Sequence, residues 1–312
     1  MDSKQQFISK SNVFQETVHS TPTVELLTTK DAQHQSHNIK ANLLRNGLTV
    51  VSYSFLEEFI KTRIGEIIAK FDNRRIQFQA LDADLQKALS LNALDGLRFR
   101  ADMLKKKGGD WMSFIQDETK TISSSKNNRF KLSQYSIGWN KPNLESGDIN
   151  KFLKLFGIKG GWQTVQKMTV KGNVTLPSPE SIYKNSATRR HQAAHSANAN
   201  SLLTDLQDFS KSSRIIAFAF DSLMSRALSE TNSNNQRFLS RQDKLTEEDV
   251  LITFLIKDGI YWREKKVENG RTIKLYLNQD IAIKNIKKRS YFKNATLIVK
   301  DENNLILNWV HS

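Results

Sequence analysis

Cysteine is absent from all 312 residues, which excludes disulfides, thiolate zinc sites and thiol nucleophiles. Any chemistry must come from other groups. Proline is scarce, with four residues, and no apolar run approaches the roughly 18 residues that mark a membrane span. The opening stretch MDSKQQFISK has neither the apolar core of a secretory signal nor the Arg-rich, acid-poor character of a transit peptide. The expected location is the cytoplasm, with no membrane partner. Acidic residues are also under-represented: 32 Asp and Glu face 47 Lys and Arg, a net charge of +15 with a pI near 9.8. Such an excess favours a polyanionic partner, because each neutralised phosphate releases condensed counterions. It is concentrated in residues 98 to 172, which carry 15 basic against six acidic residues, a local +9.

What remains is a soluble-type composition, 38% hydrophobic and 25% charged, long enough for one large domain or two ordinary ones. Residues 1–37 are polar and lack a sustained period, so a loose arm is expected there. From residue 38 a helical pattern begins, with Leu48, Val51, Phe55 and Phe59 on one stripe and Leu56, Ile60, Ile64 and Ile67 beside it. A second long helix is expected over roughly 76–106, closed by Gly108-Gly109. The stretch SGDINKFLKLFGIKGG reads as a short helix ended by glycine. Ser178-Pro179-Glu180 is a helix start: an N-cap, a proline at the first helical position and an early acid. A further long helix follows, in which Leu206, Phe209, Ser213, Ile216, Phe220, Leu223 and Ala227 form a seam, with Thr204 and Gln207 as its capping box.

Beyond a polar linker, taken as residues 231–245, the pattern changes to strands. IYWREKKV and TIKLYL flank Asn269-Gly270, TLIVK and LILNWV flank a polar turn, and NQDIAIKNIKKR between them reads as a short basic helix. The fold class is therefore mainly α: a helical bundle over residues 38–230 and a small α+β module with two β-hairpins over 246–312.

The chemistry concentrates in one place. Of six histidines, His191 and His195 stand one helical turn apart behind Arg189 and Arg190, in RRHQAAH. A zinc protease would need H-E-x-x-H, and Gln192 in the second position is no general base. A solvated helix face is the plain alternative, but Ala187, Ala193, Ala194, Ala197 and Ala199 around the motif would let another helix approach closely. RNA cleavage by the substrate's own 2′-OH needs a base, an acid and a cation, and histidine with arginine supplies all three without metal or cofactor. On an ideal helix Arg190 and His195 lie roughly 140° and 7.5 Å apart, so two copies facing each other make a better pocket than one.

Arg190-His191-Gln192-Ala193-Ala194-His195 resembles the R-x4-H motif of HEPN-domain ribonucleases, and within them the RiboL-PSP-HEPN type. SYSFLEEFIK, DINKFLKLFGIK and FAFDSLMSRAL agree with the family's flanking helices, so the resemblance spans about residues 38–230. It implies a HEPN-type bundle, a homodimer through the motif helix, and metal-independent endoribonuclease action leaving a 2′,3′-cyclic phosphate. Arg190 and His195 would be catalytic, with His191 positioning them or sharing proton transfer. It further implies a toxin or anti-phage effector acting on RNA such as tRNA, under an antitoxin or phage-derived regulator. The alternative is a catalytically silent RNA-binding or dimerisation module. Arg189, Lys126, Arg129, Lys131 and Lys141 are the expected RNA contacts, the last four interleaved with Trp111, Phe114, Phe130, Tyr135 and Trp139. Asp258, Glu264 and Lys266 faintly echo a metal-nuclease set, but a strand with alternating charge more often marks a solvent face.

Overall fold

The computed structural model describes residues 2–20, 22–28, 31–71, 75–127, 129–196 and 198–312. Helix α1 spans Ser3–Ser20 and α2 spans Ala32–Ala69. The expected loose arm is therefore a packed helix: Phe7, Phe14 and Val18 are buried, and Arg214 binds Ser11 and Asn12. Apolar residues spaced by seven and four among polar ones fall on one helical face, so a few contacts order a segment whose average composition is polar. In α2, Leu56, Ile60, Ile64 and Ile67 are fully buried as the stripe requires, whereas Val51 faces solvent.

The expected second helix is broken into α3, Ala83–Leu89, and α4, Leu91–Lys106. Asp82 caps α3 through Leu85 and Asp84, and Ser90 leaves helical geometry at the break. Helix α5, Trp111–Ser123, follows, capped by Asp110. Next come α6, Ser146–Leu155, and α7, Trp162–Lys171, separated by Gly157 and Gly160, whose φ of 77° and 78° end the first as expected.

Helix α8 spans Pro179–His195 and α9 spans Leu203–Asn232. Every expected seam residue of α9 is buried. Its start differs: Leu202 is the N-cap and has no side-chain cap, so the Thr204 and Gln207 box does not form; Gln207 instead donates to the Val18 carbonyl at 3.1 Å. Binding the neighbouring helix replaces the local cap. Within the stretch read as a linker, α10, Gln236–Leu239, buries Phe238 and Leu239.

The strands are β1 Leu251–Asp258, β2 Tyr261–Lys265 and β3 Thr272–Tyr276; then comes helix α11, Gln279–Ile286, and finally β4 Ala295–Lys300 and β5 Ile306–His311. Both expected hairpins form, and β1 joins them by pairing antiparallel to β2 and parallel to β4, giving the order β3-β2-β1-β4-β5. One sheet face shares the bundle's core through Phe254, Ile298, Ile306 and Trp309. The other packs Leu255, Leu297 and Val299 with α11. The chain is thus mainly α with a small five-stranded sheet at its C-terminal end, and no helix among the described residues is long and apolar enough to cross a membrane.

Candidate active site

Helix α8 begins as its sequence dictates. Ser178 accepts from the Ser181 N–H at 3.4 Å, Pro179 fills the first turn, and Glu180 complements the helix dipole. Its first half is seated on α2. The Tyr183 and Tyr53 hydroxyls lie 2.9 Å apart, and both reach the Leu144 carbonyl, at 3.1 and 2.8 Å. The Leu144 N–H donates to Glu57 at 2.6 Å, and Glu57 pairs with Lys61 at 3.1 Å. Burial pushes the Tyr53 hydroxyl well above its ordinary range, although its Tyr183 hydrogen bond and the Arg190 charge pull it back. Tyr183 is raised as well, chiefly by burial. Both stay protonated, so they hold the helix and do not transfer protons near neutrality.

The second half of α8 carries the motif. Arg190 is half-buried, and its Nε is enclosed with no hydrogen-bond partner among the described residues. A buried guanidinium donor without an acceptor is costly unless something supplies one. His191 and His195 are exposed, their rings 4.7 Å apart between centroids at 53°. Helix α8 ends at His195, and the Ser196 N–H closes the last turn on the Gln192 carbonyl at 2.9 Å. The two imidazoles therefore share one face of a free helix end, while Arg190 sits round the helix toward α2.

The expected RNA contacts divide. Lys126, Arg129 and Lys131 are exposed on the segment after α5. Lys141 is held by Asp148 at 2.6 Å and Glu145 at 3.6 Å, and Arg189 pairs with Asp205 on α9 at 2.9 Å. Among the interleaved aromatics, Phe130 is core, set edge-on to Phe78. Phe114, Tyr135 and Trp139 make a chain of edge-on rings at 5.3 and 5.4 Å, with Arg100 within 5.9 Å of the last two. Lys105 lies over Trp111 at 5.5 Å.

In the sheet, Asp258, Glu264 and Lys266 do not converge. Glu264 is buried and accepts hydrogen bonds from Tyr276, Tyr291 and Arg289, which corrects the expected solvent face. Asp258 pairs with Arg263, and Lys266 covers the Tyr291 ring. No group of three His, Asp or Glu able to hold a metal occurs among the described residues.

Of the alanines expected around the motif, Ala197 lies outside the described residues, and Ala187, Ala193 and Ala199 are half-buried. The sequence reading missed Tyr53, Glu57 and Tyr183. Their polar tips are hidden in helical stripes that count only as apolar or charged, and only the tertiary contact reveals them.

The RiboL-PSP-HEPN family model matches residues 23–225, about two thirds of the chain and including both ends of the motif. The chain belongs to the RiboL-PSP-HEPN family. Family membership gives it a domain of the ribonuclease or nucleotide-binding type. No curated protein and no solved structure gives a significant match.

Proposed function

We propose that this RiboL-PSP-HEPN protein is a metal-independent endoribonuclease, acting as a homodimer whose α8 helices face each other, in a toxin or anti-phage role. The observation that carries the reading is the free C-terminal end of α8: His191 and His195 side by side in solvent with tilted rings 4.7 Å apart, and on the same two turns the Arg190 Nε, unpartnered among the described residues. An imidazole removes the proton of the 2′-OH, O2′ bonds to phosphorus, and the P–O5′ bond breaks. A second imidazole gives O5′ its proton, and the products are a 2′,3′-cyclic phosphate and a 5′-hydroxyl. Arg190 balances the added negative charge of the phosphorane. In one protomer Arg190 and His195 point some 140° apart, so pairing two helix ends supplies the missing partner for each.

The test incubates wild-type protein and the Arg190→Ala/His195→Ala variant with total RNA and defined tRNAs in EDTA, then maps product 3′ ends. General acid or base loss costs on the order of 10² to 10⁴ in rate, so cleavage ending in cyclic phosphate is expected from wild type alone. No cleavage by wild type, with RNA binding intact, would replace this reading by a silent binding module.

A further inference from the structure

A cavity of about 440 Å³ lies between α2, α8 and α9, on the flank of α8 next to the histidine face. Its wall on α8 is made by Ser186, Arg189, Gln192 and Ala193, so two of the four residues between the motif's ends line it. Gln192 is three residues from His195. On a helix such positions are neighbours, about 5–6 Å apart at Cβ, so Gln192 stands on the boundary between the cavity and the exposed imidazoles. Its carboxamide makes no hydrogen bond among the described residues.

The remaining lining combines apolar with hydroxyl-bearing side chains. Leu202, Leu206 and Phe209 give one apolar side; Thr49, Ser52 and Ser201 give a hydroxyl-bearing one. That second side is fixed in advance. Asn46 on α2 donates to the Ala199 carbonyl at 2.8 Å and accepts from the Ser201 N–H at 3.2 Å, and Thr49 bonds the Ser201 hydroxyl at 2.7 Å. The Arg189–Asp205 ion pair borders the cavity, separating it from a second hollow along the α8–α9 groove lined by Leu176, Pro177 and Ile182. A partly apolar cavity of this size, with few polar groups held in place, has the usual character of a small-ligand site. Unstacked RNA bases are recognised in such pockets through apolar or aromatic walls and hydrogen bonds to their edges.

We infer that this cavity is a base-selecting subsite for single-stranded RNA, receiving the base beside the scissile phosphate and reading it through the Gln192 carboxamide. The inference rests on the ribonuclease reading for the position of the cut, but base binding is measurable without cleavage. A carboxamide places a donor and an acceptor side by side, and a bidentate pair with a base edge is the arrangement that discriminates. Arg190 and the histidines hold the phosphate; Gln192 chooses the neighbouring base.

The experiment has two arms. In the first, wild type, Gln192→Ala and Ala193→Leu cleave a randomised single-stranded RNA pool in EDTA, and cut sites are sequenced. Wild type should prefer one base at a position flanking the cut. Gln192→Ala should lose about tenfold of that preference, the size of a lost bidentate contact, and Ala193→Leu should lower cleavage of the preferred sites most by filling the cavity. In the second arm, the Arg190→Ala/His195→Ala protein, with and without Gln192→Ala, is titrated with four single-stranded tetranucleotides, each of one base. Base-dependent affinity that vanishes with Gln192→Ala supports the subsite even if wild type cuts nothing. Cleavage with no base preference, or a preference unchanged by both single substitutions, overturns it while leaving the ribonuclease reading standing.

Discussion

The indole Nε1 of Trp309 on β5 donates to Asp221 on α9 at 2.7 Å, and this contact pins the last strand to the bundle. Asp221 is fully buried and also holds Arg63 of α2 at 2.5 Å and His311 of β5 at 2.9 Å. One carboxylate thus collects α2 and β5 on α9. Removing one partner of a buried ion pair leaves the other charge uncompensated and costs about 3–5 kcal/mol. Arg63 keeps Glu66 at 2.9 Å, so Asp221→Asn should fall at the lower end, about 3 kcal/mol. For a chain of 312 residues that corresponds to a drop in Tm of about 5 °C, read by calorimetry. An unchanged Tm would remove Asp221 from the docking of the strand.

The same carboxylate sets an acid limit. Burial alone pushes the Asp221 carboxyl up, but His311, Arg63 and the Trp309 hydrogen bond outweigh it and hold it well below the usual carboxylate range. A group depressed in the folded state contributes stability that is present above its unfolded pKa, near 4, and is lost as pH falls further toward the folded value. Unfolding free energy measured in urea should therefore decline from about pH 4 downward. Asp221→Asn should flatten that decline, and an equal slope in both proteins would place the acid sensitivity elsewhere.

Gly96 on α4 meets the Tyr135 carbonyl: a Cβ built there would lie 2.2 Å from that oxygen. In an exposed helix, Gly to Ala gains about 1 kcal/mol from propensity. Here overpacking against backbone costs about 1–3 kcal/mol and wins. Gly96→Ala should lower stability and shift the Tyr135–Trp139 ring pair, observed as a change in tryptophan fluorescence. A stabilised Gly96→Ala protein would show that the loop yields freely.

Legibility from sequence followed the directness of each signal. The α9 seam was readable because its buried residues, Leu206 to Ala227, repeat at helical spacing over about six turns, and the β2–β3 hairpin because Asn269-Gly270 dictates a turn. Strand β1 was missed because it pairs on both edges and is covered at its centre, so Thr253, Phe254 and Leu255 are all buried and no alternation survives. Helix α1 was missed because Phe7, Phe14 and Val18 are diluted by polar neighbours. The motif of α8 was legible as a candidate site, since two histidines at i and i+4 directly behind two arginines stand out on their own. The Tyr53–Tyr183–Leu144 seat and the cavity beside Gln192 were not, because each joins residues of α2 to partners more than 90 residues away.

Charge pairing separates the basic residues proposed to touch RNA. Each phosphate contact on a single strand contributes roughly 0.7 to the slope of log affinity against log salt. Lys126, Arg129 and Lys131 are exposed on one segment, so replacing all three by Ala should reduce the slope by about 2. Lys141 already spends its charge on Asp148 and Glu145; a phosphate would have to displace those carboxylates. Lys141→Ala should therefore change the slope by less than about 0.7, though it frees two acids and lowers affinity slightly at low salt. Fluorescence anisotropy of a labelled single-stranded RNA, titrated between 50 and 300 mM salt as an order-of-magnitude range, measures both. If the triple variant keeps the wild-type slope, the RNA path runs elsewhere. A loss for Lys141→Ala as large as the triple's would mean that the lysine leaves its carboxylates when RNA arrives.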